Sequence, residues 1–134
     1  MGSRATADSR VMEEILGELK ALDLFFLDSR TNAATVAAAT AQRIGLASLS
    51  RDIFLDDDPS PEAVAAQFRA AVQLAHRQGS VVVIGHPHPA TLALLERELP
   101  KLAAQGIDWV DLGQMIATRG NRAMIAHGAN GLYR

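Results

Sequence analysis

The stretch Val81–Thr91, VVVIGHPHPAT, constrains the chain more than any other. Four consecutive apolar residues rich in β-branched side chains lead into Gly85-His86-Pro87-His88-Pro89, and a helical pattern begins directly afterwards. This reads as a buried parallel strand whose carboxyl end carries a loop stiffened by proline, the position at which α/β sheets place their chemistry. Two imidazoles sit on that loop.

The segments on either side repeat the alternation. Asp8 or Ser9 can cap a first helix whose apolar positions Met12, Ile15, Leu19 and Leu22 recur every three or four residues. Leu24–Leu27 reads as a short strand ending at the polar group Asp28-Ser29-Arg30-Thr31, and Ala33–Ile44 as an alanine-rich helix closed by Gly45. Leu46–Leu49 supplies a brief strand, and Arg51–Pro59 a mixed polar and apolar loop. Ser60 and Pro61 open a helix with Val64, Phe68, Val72 and Ala75 inward, and Gly79 stops it. After the histidine loop, Leu92, Leu95, Leu99 and Leu102 mark another amphipathic helix ending at Gly106. Ile107–Leu112 offers a last strand with Trp109 and Val110 packed, then a small helix at Gln114–Thr118 and an unpatterned tail. The alternation predicts an α/β fold: an incomplete (β/α) barrel-like domain or an open, mostly parallel sheet flanked by helices. We place that domain at residues 1–118 and the tail at 119–134.

The candidate functional residues fall on loops after strands. Neutral imidazole binds zinc or accepts a proton, so His86 and His88 are candidate metal ligands and His86 a candidate catalytic group, although one histidine fixing the loop through a backbone hydrogen bond accounts for the same residues. Asp28, Arg30, Asp52 and Asp56 can supply a base, a ligand or electrostatic positioning if their loops converge beside His86. Equally, Asp28 can simply turn the chain and Arg51-Asp52 can form a surface ion pair.

Composition removes several classes of function. The 134 residues carry a net charge of -2, which gives no basic field for nucleic acid. With no cysteine, disulfides, thiolate nucleophiles and zinc–thiolate sites are excluded. No apolar run reaches the roughly 20 residues of a membrane span, and the start lacks the pattern of a signal peptide. No phosphate-binding glycine loop is present.

Four motifs, MGSRAT at Met1–Thr6, FFLDSRT at Phe25–Thr31, RDIFLD at Arg51–Asp56 and IGHPHPAT at Ile84–Thr91, together resemble the divergent polysaccharide deacetylase family. That family lies within the β/α-barrel superfamily of glycoside hydrolases and deacetylases, and the matching order and spacing cover most of Met1–Val110. The resemblance implies that Met1-Gly2-Ser3 is native sequence and not an expression scar. It implies a hydrolase that removes N- or O-acetyl groups from carbohydrate with the help of zinc or another divalent cation. Carried onto this chain, it puts Asp28, Arg30, Asp52 and His86 in the catalytic group, His86 and His88 at the metal, and Gly2, Ser3, Arg4 and Asp56 in the substrate pocket. In the family, the segment resembling MGSRAT follows a histidine and an earlier strand that ends in acidic residues. Neither precedes it here, so the expectation is a C-terminal portion with an incomplete catalytic set. The alternative is a carbohydrate-binding or structural remnant that needs no metal. Exposed sheet edges in such a portion predict a homodimer that covers them. Compartment is left open, since a family-like product can be exported or periplasmic.

Overall fold

The computed structural model describes residues 2–119, so the expected tail at 119–134 lies, apart from its first residue, outside the described residues. The chain divides into two compact units, one running to Leu49 and resuming at Val110, the other spanning Ser50–Trp109.

In the first unit, Asp8 caps helix α1 (Ser9–Ala21), its Oδ1 accepting the backbone N–H groups of Arg10 and Val11 at 3.0 and 3.1 Å. Met12 and Leu16 are the fully buried residues of α1, with Leu19 packed alongside. Ile15 and Leu22, expected on this face, are instead 41% and 66% exposed. The helix is rotated so that Leu16 replaces Ile15, because Met12 and Leu16, four apart, meet Ala37, Ala41 and Leu46. Strand β1 (Phe26–Asp28) starts two residues later than expected, leaving Leu24 and Phe25 exposed. Helix α2 (Ala37–Ile44) is also shorter than its alanine run and ends at Gly45, whose φ of 69° is the left-handed conformation glycine adopts without strain. Small side chains at Ala37 and Ala41, both fully buried, let α2 approach α1 closely. Strand β2 (Ser48–Ser50) pairs with β1.

The second unit holds a strand that the sequence hid. Within the expected loop Arg51–Pro59, Ile53–Phe54 forms strand β3, paired parallel with β4 (Val83–Ile84) in the register Ile53 opposite Val83 and Phe54 opposite Ile84. Parallel strands need a crossover, and helix α3 (Pro61–Gln78) supplies it, with Pro61 in its first turn and Gly79 left-handed at its end. Ser60 stands at the N-cap position, but its side chain makes no capping hydrogen bond. Leu55, Val64 and Leu94 form the core, with Ile53, Phe68, Val83 and Leu95 against it. Helix α4 (Pro89–Glu98) contributes Leu94 and Thr91 to the interior, whereas Leu92, expected inward, is 47% exposed.

No strand forms over the expected Ile107–Leu112, and Trp109, expected to pack, is 76% exposed. Residues 112–119 are helical, opened by a reciprocal cap in which Asp111 Oδ1 accepts the Gln114 N–H at 2.8 Å and Gln114 Oε1 accepts the Asp111 N–H at 3.2 Å. The architecture is therefore a mixed α/β fold with small sheets flanked by helices and not closed into a barrel, as the sequence predicts. No described helix is long and apolar enough to cross a membrane.

Candidate metal centre

Strands β3 and β4 run in the same direction, so their carboxyl ends deliver Asp56 and His86 to one edge. Alternation along β3 sends Ile53 and Leu55 into the core and leaves Phe54 and Asp56 for the opposite side. Asp56 is buried, 4% exposed, and accepts three hydrogen bonds. Its Oδ2 takes the backbone N–H of His86 at 2.6 Å and the Thr91 hydroxyl at 2.8 Å, and its Oδ1 lies 3.0 Å from His86 Nδ1.

Burial by itself pushes the Asp56 carboxyl up. The backbone N–H of His86, its ring and the Thr91 hydroxyl outweigh that and hold the group below its ordinary value of 3.8. Asp56 is thus a carboxylate, which only accepts hydrogen bonds, so the proton between it and His86 belongs to Nδ1. In its neutral form, His86 would then carry its lone pair on Nε2.

The second imidazole is brought in by the loop itself. The His88 N–H donates to the His86 carbonyl at 2.8 Å, a tight reversal that keeps the two side chains together. Their ring centroids are 5.6 Å apart. His88 is also the N-cap residue of α4, with Pro89 fixing the helix start. One ligand atom from each of Asp56, His86 and His88 lies within 4.8 Å of the others, the aspartate buried and both histidines exposed. Two imidazoles supply nitrogen donors, and the buried carboxylate hydrogen-bonded to one of them is the partner that metal-binding histidines use, so the residues present fit a divalent cation held by His86 and His88 with Asp56 behind them.

Gly85 permits this arrangement. A Cβ there would stand 3.3 Å from Asp56 Oδ2 and 3.4 Å from Thr91 Cγ2, crowding the carboxylate that His86 needs.

The other expected site residues are placed as follows. Asp52 sits at the opposite end of β3 from Asp56, where its Oδ2 accepts the Val82 N–H at 2.7 Å and ties the two strands at their start. In the first unit, Asp28 is buried, with Oδ1 accepting the Arg30 N–H and Oδ2 the Thr35 hydroxyl, each at 2.8 Å. Arg30 adopts a positive φ of 52°, stabilised by that turn. A cleft of about 200 Å³ there is lined by Gly2, Ser3, Thr6, Phe26, Leu27, Asp28, Ser29 and Thr31. Arg4 and Arg30 are exposed and not among its lining residues. A larger cleft of about 310 Å³, between α3 and α4, includes none of the three candidate ligands.

Thr91 and Phe54 were not foreseen as site residues. Thr91 follows His88 by one helical turn, a spacing that turns its hydroxyl back toward the loop, which is the signal that could have found it. Phe54 required knowing that β3 exists.

These features define an α/β protein with a candidate metal-binding trio on loops that follow parallel strands. The chain belongs to the divergent polysaccharide deacetylase family, whose profile matches residues 1–116. It is 44% identical over 115 residues to an uncharacterized protein of Haemophilus influenzae, covering 86% of this chain and 41% of that one. It is 40% identical over 97 residues to the uncharacterized protein YibQ of Escherichia coli, covering 72% and 30%. The crystal structure of the uncharacterized protein ATU2773 from Agrobacterium tumefaciens shares the fold, with a TM-score of 0.81 at 18% identity over 86% of this chain and 47% of that one. The chain spans less than half the length of each.

Proposed function

We propose that this chain carries the metal centre of a carbohydrate deacetylase, which hydrolyses N- or O-acetyl groups on a saccharide. The observation supporting it is the trio itself: a buried carboxylate bound to one imidazole, with a second imidazole beside it, in a chain of this family. A divalent cation held there supplies Lewis acidity, polarising an acetyl carbonyl and making water a better nucleophile. His86 Nε2 and a nitrogen of the exposed His88 are the donors that would hold it. Asp56 keeps the His86 proton on Nδ1 and so keeps Nε2 available. In the overall reaction water adds to the acetyl carbon, the bond to the sugar nitrogen or oxygen breaks, and acetate leaves as the sugar atom gains a proton.

Asp28 and Arg30 belong to the same proposal as residues acting on the substrate, as do Gly2, Ser3 and Arg4, whereas Asp52, at the far end of β3, serves the strand pair. Supporting it in the first unit is the cleft beside Asp28, whose Ser29, Thr31 and Ser3 groups suit sugar hydroxyls. A homodimer is part of the reading as well, supported by the exposed apolar side chains Val11, Ile15, Leu24 and Phe25. Light scattering that shows a monomer at high concentration overturns that element.

Calorimetric titration of the metal-free protein with zinc tests the centre. One-to-one binding that His86→Ala abolishes is expected, followed by acetate release from acetylated chito-oligosaccharides. A folded protein that binds no zinc overturns the metal-dependent reading and leaves a carbohydrate-binding or structural role.

A further inference from the structure

We propose that Phe54 is a substrate-contacting residue, forming with His86 and His88 a wall of three rings against which the apolar face of an acetylated sugar packs.

Of its chain neighbours, Leu55 is buried in the core with Val64 and Leu94, and Ile53 packs against that core partly buried. Phe54 takes the other side of the strand and is only half-buried. Phe54 turns from the core that buries Leu55, and what its ring meets is His86 of the candidate metal centre. Its ring centroid lies 5.5 Å from that of His86 with the planes tilted at 47°, and His86 continues the series to His88 at 5.6 Å and 45°. The Arg51 guanidinium stands over the Phe54 ring, 5.3 Å from its centroid.

The three rings give the exposed edge of the trio an apolar side next to its polar one. A pyranose is built the same way: its hydroxyls and acetyl carbonyl are polar, while axial C–H groups form an apolar face that carries slight positive charge. The negative faces of aromatic rings attract such C–H groups, and their flat area is buried with little loss of side-chain freedom. With the carbonyl at the trio, the sugar body extends over Phe54. This rests on the proposed deacetylase reading for the substrate class, but the ring wall is a separate element of it.

The test uses the full chain loaded with zinc, the probe N,N′-diacetylchitobiose, and the variants Phe54→Leu and Phe54→Tyr. Zinc affinity, chitobiose affinity and thermal unfolding are measured on each. Phe54→Leu is expected to weaken chitobiose binding by about fivefold while zinc affinity stays within about twofold of the parent, and Phe54→Tyr is expected to retain sugar binding. Unchanged chitobiose affinity in Phe54→Leu overturns the proposal. So does a parallel fall in zinc and sugar binding, which means that the ring only props His86. Parent protein that binds zinc but not chitobiose overturns the ring wall while leaving the metal centre standing, whereas failure to bind zinc at all counts against the deacetylase reading itself.

Discussion

Asp56 Oδ1 and His86 Nδ1 lie 3.0 Å apart, and this contact selects which imidazole nitrogen is left for chemistry. The carboxylate is buried and holds the backbone N–H of the same histidine as well as the Thr91 hydroxyl, so ring and loop are fixed by one residue. A buried aspartate with every donor satisfied is a rigid support for an exposed ring.

Asp56→Asn tests that support. The amide oxygen can still accept from the His86 backbone or Thr91, but the NH2 group placed at Oδ1 must meet a lone pair on Nδ1, which moves the ring proton to Nε2. Zinc affinity is expected to fall by about 10- to 100-fold. The loss of stability is about 1 kcal/mol, since most hydrogen bonds are replaced. Calorimetry with zinc and urea unfolding read the two effects separately.

Acid should expose the same interaction. The folded-state value of Asp56 is depressed, so its contribution to stability is complete above the ordinary carboxylate value of 3.8 and disappears as pH falls through the lower folded-state value. The urea midpoint of the metal-free protein is expected to drop as pH falls below about 4, and Asp56→Asn to drop less steeply. Parallel curves for the two proteins would show that other groups carry the acid sensitivity.

Much of this was legible in the sequence because proline, glycine and histidine are local signals. The strand-loop-helix unit around Gly85–Pro89, the helix start at Pro61 and the left-handed ends at Gly45 and Gly79 are where the motifs put them. What escaped depended on tertiary partners. Strand β3 has two residues, too few for a period to show, so Phe54 and the outward turn of its ring were invisible. Along α1, Ile15 and Leu16 are adjacent and equally apolar, and only the position of Ala37 and Ala41 decides which is buried. Trp109 is expected to pack on a strand over Ile107–Leu112, yet no strand forms to hold it. At the site, the sequence offered both histidines as ligands and Asp56 as a pocket residue, while the close contact of Asp56 with His86 and the buried Thr91 hydroxyl emerged only from the tertiary structure.

The choice between Ile15 and Leu16 can be measured directly. Leu16 is fully buried, so Leu16→Ala is expected to cost about 3 kcal/mol from lost transfer energy and the cavity left behind. Ile15→Ala, at a position 41% exposed, is expected to cost about 1 kcal/mol or less. Denaturant melts of both variants that give equal losses would place both side chains in the core and contradict the helix rotation.

Gly85→Ala probes the site through packing alone. The added methyl group meets Asp56 Oδ2 at 3.3 Å, Thr91 Cγ2 at 3.4 Å and Leu55 Cβ at 3.5 Å, and no contact in this set is with the end of a long, flexible side chain. Relief requires the carboxylate to shift by a few tenths of an ångström, which lengthens its hydrogen bonds to His86 and Thr91 together. Stability should fall by about 1 to 2 kcal/mol from overpacking. Zinc affinity should fall with it, because the displaced carboxylate no longer fixes the His86 ring. A variant that loses stability but binds zinc like the parent would show that His86 holds its position without Asp56, and that the carboxylate serves the fold more than the metal.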